Sequence, residues 1–381
     1  MNSATPILFT IPNFDTAGSG GALWNVVSRL DRRRFAPAIC VLRPGGSLMS
    51  EIERSDVPLL CAPFTVAPRP LATLAFRLRK AAREFRGRRF ALWHSFHYVD
   101  DYTEPLVARF AGTPSWIYTK KNMNWHRRSW YVRSILATRI AAQNTDMMRD
   151  FFAPAALRRR ARLVPRGVDT ARFSPDQPPR LGLREARQVP SSATVVGCVA
   201  HLLPVKNQEM LIRAVAQVPG TVLWLAGKEF DEAYGATLRR LVAELSLSDR
   251  VVFFGNIRDV PSFLAEIDVF ALPTRAEGRM EGCPVALLEA MATGRACVAS
   301  DIPGSRDIVE PGRSGDLVPA DDAGALAEAI RRLANDPPTR RARGQAARRR
   351  VLEEYSIERE VEAHESLYDE ILGRASLGSA A

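Results

Sequence analysis

Two carboxylates mark the stretch of this sequence that is best suited to chemistry. Glu281 lies in a polar loop after a short apolar run, and Glu289 follows it with seven residues between them. Gly282 lets a ligand come close to the backbone, and Pro284 suits the first position of a helix. The free N–H groups at the start of a helix bind anions. The stretch could therefore hold a phosphate while a carboxylate accepts hydrogen bonds from nearby hydroxyl groups.

The residues around these carboxylates predict the elements that position them. Val269–Leu272 predicts a buried strand, Pro284 to Gly294 predicts a helix, and Ala296–Ala299 predicts a second strand. A strand, loop, helix and strand in this order form the βαβ unit of a parallel sheet. Phosphate and hydroxyl recognition together suit a sugar nucleotide. An ordinary βα loop with two surface glutamates would show the same spacing.

A longer motif contains these residues. The run E-G-C-P-V-A-L-L-E-A-M-A-T-G-R-A-C-V-A-S, preceded by D-V-F-A-L-P-T, resembles the E-x7-E signature of family 4 retaining glycosyltransferases. The resemblance implies that Glu289 binds the ribose of a donor nucleotide and that Glu281 contacts the sugar near the reacting centre. It also implies that the backbone after Glu281 lines the sugar and the diphosphate, through Gly282, Cys283, Pro284 and Val285.

A second motif departs from the family at one position. The run H-L-L-P-V-K-N resembles the family's G-R-L…K segment, whose arginine and lysine neutralise the donor diphosphate as the bond to the sugar breaks. Lys206 matches the lysine, whereas His201 stands in place of the arginine. A neutral imidazole supplies less charge than a guanidinium group. Either His201 is protonated beside the diphosphate, or Arg275 or Arg279 contributes.

The resemblance also implies roles for glycines at two other strand ends. Gly18-Ser19-Gly20-Gly21 precedes a helix predicted from Ala22 to Leu30, and Gly255 ends a strand in the family's F-x-G pattern. The resemblance implies that Gly20 and Gly21 face the donor and acceptor, and that Gly255 borders the base. From the residues alone these signals are weak, because the G-x-G-x-x-G spacing is absent.

The acceptor side of the site is less well defined by the sequence. His94 and His97 follow a predicted strand and resemble the family's strand-end histidine, although a structural histidine would show the same placement. The next strand ends in K-K-N-M-N-W, where many family members have a histidine and where His126 is a candidate substitute. Four cations in this segment are candidates for binding an anionic acceptor, or are simply exposed: Lys120, Lys121, Arg127 and Arg128.

Residues 69–89 predict an amphipathic helix with a strongly basic surface. Its apolar stripe would pack on the core, and its basic side would either be solvated or lie on an anionic membrane surface. The stripe consists of Leu71, Leu74, Ala75, Leu78, Ala82 and Phe85.

The length of the chain bears on the number of domains, and its net charge bears on the kind of partner it binds. The 381 residues suggest two domains. The formal net charge of +11 favours anionic partners, although an arginine-rich proteome would produce the same excess. A basic nucleic-acid-binding protein is one alternative. Basic segments interleaved with aromatic residues are absent, and that alternative would leave the E-x7-E run unexplained.

The cysteines and the apolar runs predict the cellular location of the protein. The five cysteines, odd in number and without metal-ligand spacing, are interpreted as buried free thiols in a reducing cytoplasm. No apolar run is long enough to span a membrane, and residues 1–14 lack the basic start of a signal peptide. The expected location is the cytoplasm or the inner face of the membrane.

The resemblance covers nearly the whole chain and implies the GT-B fold, with two Rossmann-like doubly wound parallel-sheet domains facing across a cleft. Residues 1–175 would bind the acceptor, residues 176–355 the nucleotide sugar, and residues 356–381 would form a helix crossing back. V-P-R-G-V-D, near the boundary, resembles the family's V-P-N-G-V-D run, with Arg166 replacing asparagine.

The implied activity is retaining transfer of a hexose from a UDP- or GDP-linked donor to a glycan or lipid-linked acceptor. Such a reaction would serve the synthesis of a cell-surface polysaccharide or glycoconjugate. No metal is implied, since no D-x-D run lies in a suitable strand-end loop and basic residues can neutralise the diphosphate. No cofactor is expected besides the nucleotide-sugar substrate, and no nucleic-acid partner is expected. A relative of the same fold with other sugar-nucleotide chemistry, such as an epimerase, is a further alternative.

Overall fold

A computed structural model of the chain describes residues 4–373, except residues 16, 47, 98, 100, 125–127 and 279–280. Its strands pair in parallel within two sheets. The strands are β1 (Thr5–Ile11), β2 (Phe35–Val41), β3 (Leu59–Cys61), β4 (Leu92–Ser95), β5 (Ser115–Lys120), β6 (Arg139–Ala142), β7 (Ala161–Leu163), β8 (Thr194–Val199), β9 (Thr221–Ala226), β10 (Val251–Gly255), β11 (Val269–Leu272), β12 (Ala296–Ser300) and β13 (Asp316–Val318).

Helices connect most of these strands, as expected for parallel pairing. The helices are α1 (Ala17–Val27), α2 (Met49–Glu53), α3 (Leu74–Ala82), α4 (Thr103–Ala111), α5 (Arg128–Leu136), α6 (Thr145–Asp150), α7 (Ala155–Arg158), α8 (Leu183–Ala186), α9 (Gln208–Ala216), α10 (Glu232–Glu244), α11 (Val260–Ala265), α12 (Val285–Ala292), α13 (Ser305–Ile308), α14 (Ala323–Asn335), α15 (Pro337–Glu354) and α16 (Ile357–Leu372).

Two compact units divide the chain. The first contains the residues up to Arg166 together with α16, and the second is Gly167–Ser356. The sequence prediction extended the first domain to residue 175. The structure places this boundary earlier because Val168 and Phe173 are buried in a core cluster of the second unit.

The first unit has a seven-stranded sheet in the order β3-β2-β1-β4-β5-β6-β7. This order reverses direction between β1 and β4, which is the point where doubly wound sheets bind ligands. Helix α16 packs on this unit through Tyr368, whose ring lies edge-on to Phe9 and Phe35. On the same helix, Glu365 accepts hydrogen bonds from the Asp31 backbone N–H and from Arg34.

The second unit has a six-stranded sheet in the order β10-β9-β8-β11-β12-β13. Its strands are nearly continuous apolar runs, and their buried side chains belong to two clusters. Such runs are typical of parallel strands that helices cover on both faces. The doubly wound parallel architecture predicted for both halves of the chain is therefore confirmed.

Two predicted helices differ from the structure. Helix α1 begins at Ala17 and includes the glycines that the sequence analysis placed before it. The basic helix predicted over residues 69–89 is shorter: α3 follows a 3-10 turn at Leu71–Thr73 and ends at Ala82. Gly87 and Arg89 have φ angles of 84° and 50°, which are incompatible with a continued α-helix.

The cysteines are free thiols, as predicted, but one of them is not buried. Cys40, Cys198, Cys283 and Cys297 are buried, whereas Cys61 is exposed on β3. Cys61 differs because β3 is the edge strand of the first sheet. Within the described part of the chain, no helix combines the length and the apolar character needed to cross a membrane.

Candidate active site

Lys206 and Glu281 meet at the carboxyl end of the second sheet. Lys206 ends a 3-10 turn that follows β8, and Glu281 lies in the loop between β11 and α12. The Lys206 Nζ atom is 2.8 Å from a Glu281 carboxylate oxygen. The Lys206 side chain is 11% exposed and that of Glu281 is 49% exposed. The ammonium group is therefore the deeper member of the pair, and the carboxylate lies closer to solvent.

Helix α12 begins one residue later than the sequence predicts. Pro284 precedes the helix in an extended conformation, and Val285 is the first helical residue. The Pro284 carbonyl oxygen accepts hydrogen bonds from the backbone N–H groups of Leu287 and Leu288, as is usual for the residue before a helix. The N–H groups of Val285 and Ala286 have no partner within the helix, so this end can bind an anion.

Glu289 lies on the half-exposed side of α12, together with Val285 and Ala286. Residues three and four apart on a helix are neighbours on one face. The Cα atom of Glu289 is therefore about one turn, ~6 Å along the axis, from that of Val285, the first helical residue. The opposite side of α12 is buried and consists of Leu287, Leu288, Ala290, Met291 and Ala292.

Glycines allow the strand-end loops of the second sheet to approach closely. A Cβ atom on Gly304 would lie 2.6 Å from the Gly282 carbonyl oxygen, and one on Gly227 would lie 1.9 Å from that of Ala200. Gly255 has a φ angle of 64°, and its carbonyl oxygen accepts a hydrogen bond from the Gly227 N–H. At Gly304 and Gly227 only glycine fits without a backbone shift, whereas at Gly255 the positive φ angle favours glycine. The base contact predicted for Gly255 stays a prediction.

His201 lies near Lys206 and beside an aromatic residue that the sequence analysis missed. Its ring centroid is 4.7 Å from that of Phe230 in an edge-to-face arrangement. Phe230 is 55% exposed, and the Lys228 ammonium lies over its ring. Burial and the charge of Lys206 lower the pKa of His201. The imidazole is therefore mainly neutral at pH 7, and an anion beside it would favour its protonation.

Arg275 was the other candidate for the missing positive charge. Its guanidinium group lies 3.4 Å from Asp321, 3.9 Å from Glu277 and 4.0 Å from Glu209. These three carboxylates already balance its charge, which weakens the case for a diphosphate contact. Arg279 lies outside the described residues.

The two glycines predicted near the donor and acceptor occupy the second turn of α1. A Cβ atom on Gly20 would lie 2.9 Å from the Phe14 ring, so packing explains this glycine. A Cβ atom on Gly21 would meet nothing within 4 Å. Gly21 therefore lies at an open surface near the end of β1, whereas Gly20 supports the turn before the helix.

The two strand-end histidines have different surroundings. His94 is fully buried, and its ring nitrogens are 2.8 Å from the Tyr368 hydroxyl and 2.8 Å from the Thr119 hydroxyl. These bonds favour the structural interpretation of His94. His97 Nδ1 lies 3.9 Å from a carboxylate oxygen of Glu104. Burial and the charges of Arg133 and Lys121 lower the pKa of His97 to about 3, so the residue is neutral.

The two lysines at the end of β5, Lys120 and Lys121, have different partners. Lys120 Nζ donates to the Asn124 carbonyl oxygen and lies 4.1 Å from the centre of the Phe151 ring. Lys121 Nζ donates to the Phe96 carbonyl oxygen at 2.5 Å. Each amine is thus held by a different carbonyl oxygen. Of the other predicted residues here, Arg128 is exposed at the start of α5, and His126 and Arg127 lie outside the described residues.

A buried carboxylate that the sequence analysis missed joins the ends of β1 and β4. Glu104 accepts hydrogen bonds from Thr10, Trp93 and Ser95, and its carboxylate is 3.5 Å from Arg133. Burial raises the pKa of Glu104, against the opposing effect of Arg133. No sequence motif signals this network, because its members are brought together only by the fold.

Comparison with known proteins identifies the domain that carries the site. Residues 182–350 match the family described as glycosyl transferases group 1. This segment is a group 1 glycosyltransferase domain. It contains Lys206, Glu281 and Glu289, and the glycosyltransferase family predicted from the E-x7-E run is confirmed at the level of group 1.

Curated relatives of this glycosyltransferase domain include two mannosyltransferases. The GDP-mannose-dependent alpha-(1-6)-phosphatidylinositol monomannoside mannosyltransferase of Mycolicibacterium smegmatis is 36% identical over 201 residues, which is 50% of this chain and 52% of the relative. The lipopolysaccharide core biosynthesis mannosyltransferase LpcC of Rhizobium leguminosarum bv. viciae is 31% identical over 217 residues, covering 55% and 60%. The chain thus spans only about half the length of the curated relatives it matches.

Solved structures cover the chain more fully. A glycosyltransferase from Rickettsia africae has a TM-score of 0.85 at 17% identity and covers 98% of this chain and 100% of its own. HepE from Anabaena, in complex with UDP and glucose, has a TM-score of 0.80 at 19% identity and covers 96% and 100%. At this identity the likeness concerns the fold, and the predicted GT-B fold is confirmed.

Proposed function

We propose that this protein transfers a sugar from a nucleotide-linked donor to a glycan or lipid-linked acceptor, with retention of the anomeric configuration and without a metal ion. The principal support is the pairing of Lys206 with Glu281 ahead of the amino end of α12, with Glu289 one turn farther along. This arrangement supplies a cation, an anion-binding helix end and two hydrogen-bond acceptors for hydroxyl groups.

The proposed chemistry follows from the charges of these groups. When the bond between the sugar and the donor diphosphate breaks, negative charge grows on the diphosphate. The Lys206 ammonium and the N–H groups of Val285 and Ala286 would stabilise that charge, as preorganised donors do in other enzymes. Glu281 would orient the sugar, and Glu289 would accept hydrogen bonds from the ribose. The Lys206 ammonium and the two N–H groups would together provide the neutralisation that a metal ion supplies in other transferases.

GDP-mannose is the first donor to test. Both curated relatives are named as mannosyltransferases, and the one from Mycolicibacterium smegmatis is named as GDP-mannose-dependent. UDP sugars are the second group, because HepE from Anabaena was solved with UDP and glucose.

We further propose that the protein binds reversibly to an anionic membrane surface through the start of α3. Leu71, at the start of the predicted apolar stripe, is 71% exposed, and Phe76, which lies outside that stripe, is 67% exposed. Neither side chain is covered by the core. Exposed cations flank them, and apolar residues among cations are typical of interfacial helices. The exposed cations are Arg69, Arg79, Lys80 and Arg83.

A thermal-shift panel tests the donor class. UDP, GDP, ADP and TDP, and their sugars, are compared as stabilising ligands of the full chain. We expect GDP-mannose to stabilise the wild type, Lys206→Met to remove most of the shift, and Glu289→Gln to weaken it. Glu353→Gln, an exposed position on α15, is the matched control and should behave as the wild type. A chain that no nucleotide or nucleotide sugar stabilises would contradict the proposed function.

A further inference from the structure

The turn that carries Lys206 and the loop that carries Glu281 are bonded to each other. The Arg275 backbone N–H, in the loop between β11 and α12, donates to the Val205 carbonyl oxygen at 2.9 Å. Val205 precedes Lys206, and a Cβ atom on Gly278 of the loop would lie 3.9 Å from its side chain. The position of Lys206 relative to Glu281 therefore depends on how this turn and this loop are held together.

One carboxylate oxygen contacts both segments. Asp321 lies between β13 and α14, and its Oδ1 atom accepts a hydrogen bond from Asn207 Nδ2 at 2.7 Å. The same oxygen is 3.4 Å from Arg275 Nε, and these two contacts form the Asp321 bridge. Asn207 directly follows Lys206 and is buried, whereas the Asp321 side chain is 54% exposed. Asp321 can therefore be replaced without opening the core.

The other ion pairs of Arg275 are longer. Its guanidinium group is 3.9 Å from Glu277, which lies in the same loop, and 4.0 Å from Glu209 on α9. Glu209 is itself paired with Arg213 at 2.9 Å. Of the three carboxylates around Arg275, that of Asp321 is the closest and also reaches the turn. The Asp321 bridge is therefore the most direct of these side-chain connections.

Both ends of the hydrogen bond in the bridge have an unusual backbone conformation. The φ angles of Asn207 and Asp321 are 53° and 64°, in the left-handed region that residues other than glycine adopt infrequently. Asparagine and aspartate tolerate this region better than other side chains do. Such conformations persist where the surrounding contacts hold them, and they cluster at functional sites. The bridge supplies such a contact to both residues.

We propose that Asp321 is a positioning residue for the donor diphosphate. By holding Asn207 and Arg275, it fixes the turn after β8 against the loop after β11. The Lys206 ammonium is thereby kept ahead of the amino end of α12, and preorganised groups of this kind depend on the side chains that support them. The inference rests on the proposed function, in which Lys206 is the cation that binds the diphosphate.

Calorimetry with GDP on the full chain tests the inference through a double-mutant cycle. Asp321→Gly removes the carboxylate and suits a φ angle of 64°, so it opens the bridge without adding backbone strain. We expect Asp321→Gly to weaken GDP binding about tenfold in the wild type but less than about twofold in Lys206→Met, because the bridge acts through this lysine. A general loss of structure would weaken binding by the same factor in both. UDP replaces GDP if the thermal-shift panel selects a UDP sugar.

A rescue variant and a matched control complete the experiment. Asp321→Asn keeps an oxygen that can accept from Asn207 and suits the left-handed conformation, so it should retain GDP affinity to within about threefold. Asp249→Gly, at an exposed position in the turn before β10, should leave GDP affinity unchanged. The unfolding midpoint of each variant shows that it is folded.

The outcomes separate this inference from the proposed function. If the wild type binds GDP and Asp321→Gly binds it equally well, or loses the same factor with and without Lys206, the inference is wrong and the proposed function stands. Tighter GDP binding by Asp321→Gly would also overturn the inference, because Asp321 would then only restrain Arg275 from the diphosphate. A wild type that binds no nucleotide or nucleotide sugar would contradict the proposed function and this inference together.

Discussion

Lys206 and Glu281 form an ion pair, with 2.8 Å between the ammonium nitrogen and a carboxylate oxygen. The glutamate thus holds the cation that we assign to the donor diphosphate. A diphosphate must compete with this carboxylate for Lys206, or share the ammonium group with it. The same glutamate would then serve the sugar once the diphosphate has bound.

Replacing Glu281 by glutamine should therefore have opposite effects on binding and turnover. We expect Glu281→Gln to bind GDP several-fold more tightly, because the competing negative charge is gone, and to transfer sugar about 100-fold more slowly. Isothermal titration with GDP and a transfer assay measure the two quantities. Glu277→Gln changes an exposed glutamate of the same loop and should leave both unchanged. Weaker GDP binding in Glu281→Gln would show that the carboxylate does not compete.

The replacement of the family's arginine by His201 predicts a pH-dependent affinity for the donor. Burial and Lys206 lower the pKa of His201 in the free protein, whereas a bound diphosphate would raise it. Binding would then take up a proton, so GDP-mannose should bind more tightly as the pH falls from 8 to 6. His201→Arg should bind tightly across this range, and His201→Ala weakly. If His201→Ala keeps the wild-type affinity and turnover at every pH, His201 has no diphosphate role.

The exposed residues at the start of α3 predict that substitutions there weaken membrane binding without lowering the stability of the protein. Because Leu71 and Phe76 are mostly exposed, Leu71→Ser and Phe76→Ser should leave the unfolding midpoint nearly unchanged. Each should weaken binding to phosphatidylglycerol vesicles about tenfold, since a contact of this size contributes ~1–2 kcal/mol. Leu352→Ser, at an exposed position of the second unit, is the control. Vesicle co-sedimentation at low and high salt measures the effect, and undiminished binding by both variants would exclude this surface.

The buried histidines predict that acid destabilises the first unit. The pKa of His364 is about 3 in the folded protein and 6.5 in the unfolded chain, so unfolding takes up a proton below pH 6.5. Stability contributed by neutral His364 is complete above pH 6.5 and falls as the pH drops, by about 2 kcal/mol between pH 7 and pH 5. Urea unfolding at several pH values measures this slope.

Two variants distinguish the pH-dependent contribution of His364 from pH-independent losses of stability. His364→Gln should lower the pH slope, because glutamine does not titrate. Tyr368→Phe removes a hydrogen bond to His94, so it should cost about 1 kcal/mol at every pH and leave the slope unchanged. A wild-type slope in His364→Gln would mean that other groups cause the acid sensitivity.

Patterns of apolar residues and turns in the sequence predicted the strands, because a strand depends mainly on residues that are close together in the chain. The strands predicted at Val269–Leu272 and Ala296–Ala299 agree with the structure to within one residue, because parallel strands are short apolar runs between turns. Lys206 and Glu281 were each assigned to the donor site from a recognisable local motif, whereas the ion pair between them was not predicted.

Features that depend on residues far apart in the chain were not predictable. Glu104 receives its partners from β1, β4 and α5, and Arg166 finds its carboxylate on α16. Much of the arginine charge is also used internally. Arg250 donates to the carbonyl oxygens of Val215, Val218 and Thr221. A net charge read from composition therefore overstates what is available for partners.

The return of α16 to the first unit has a practical consequence for protein engineering. The first unit consists of two segments of the chain, one before Gly167 and one after Ser356. To exchange a unit with that of a relative, both segments of the first unit must therefore come from the same protein. A chimaera joined at a single crossover would combine a foreign sheet with a native terminal helix. Glu360, Glu365 and Tyr368 would then face a surface without their matching arginines and aromatic rings.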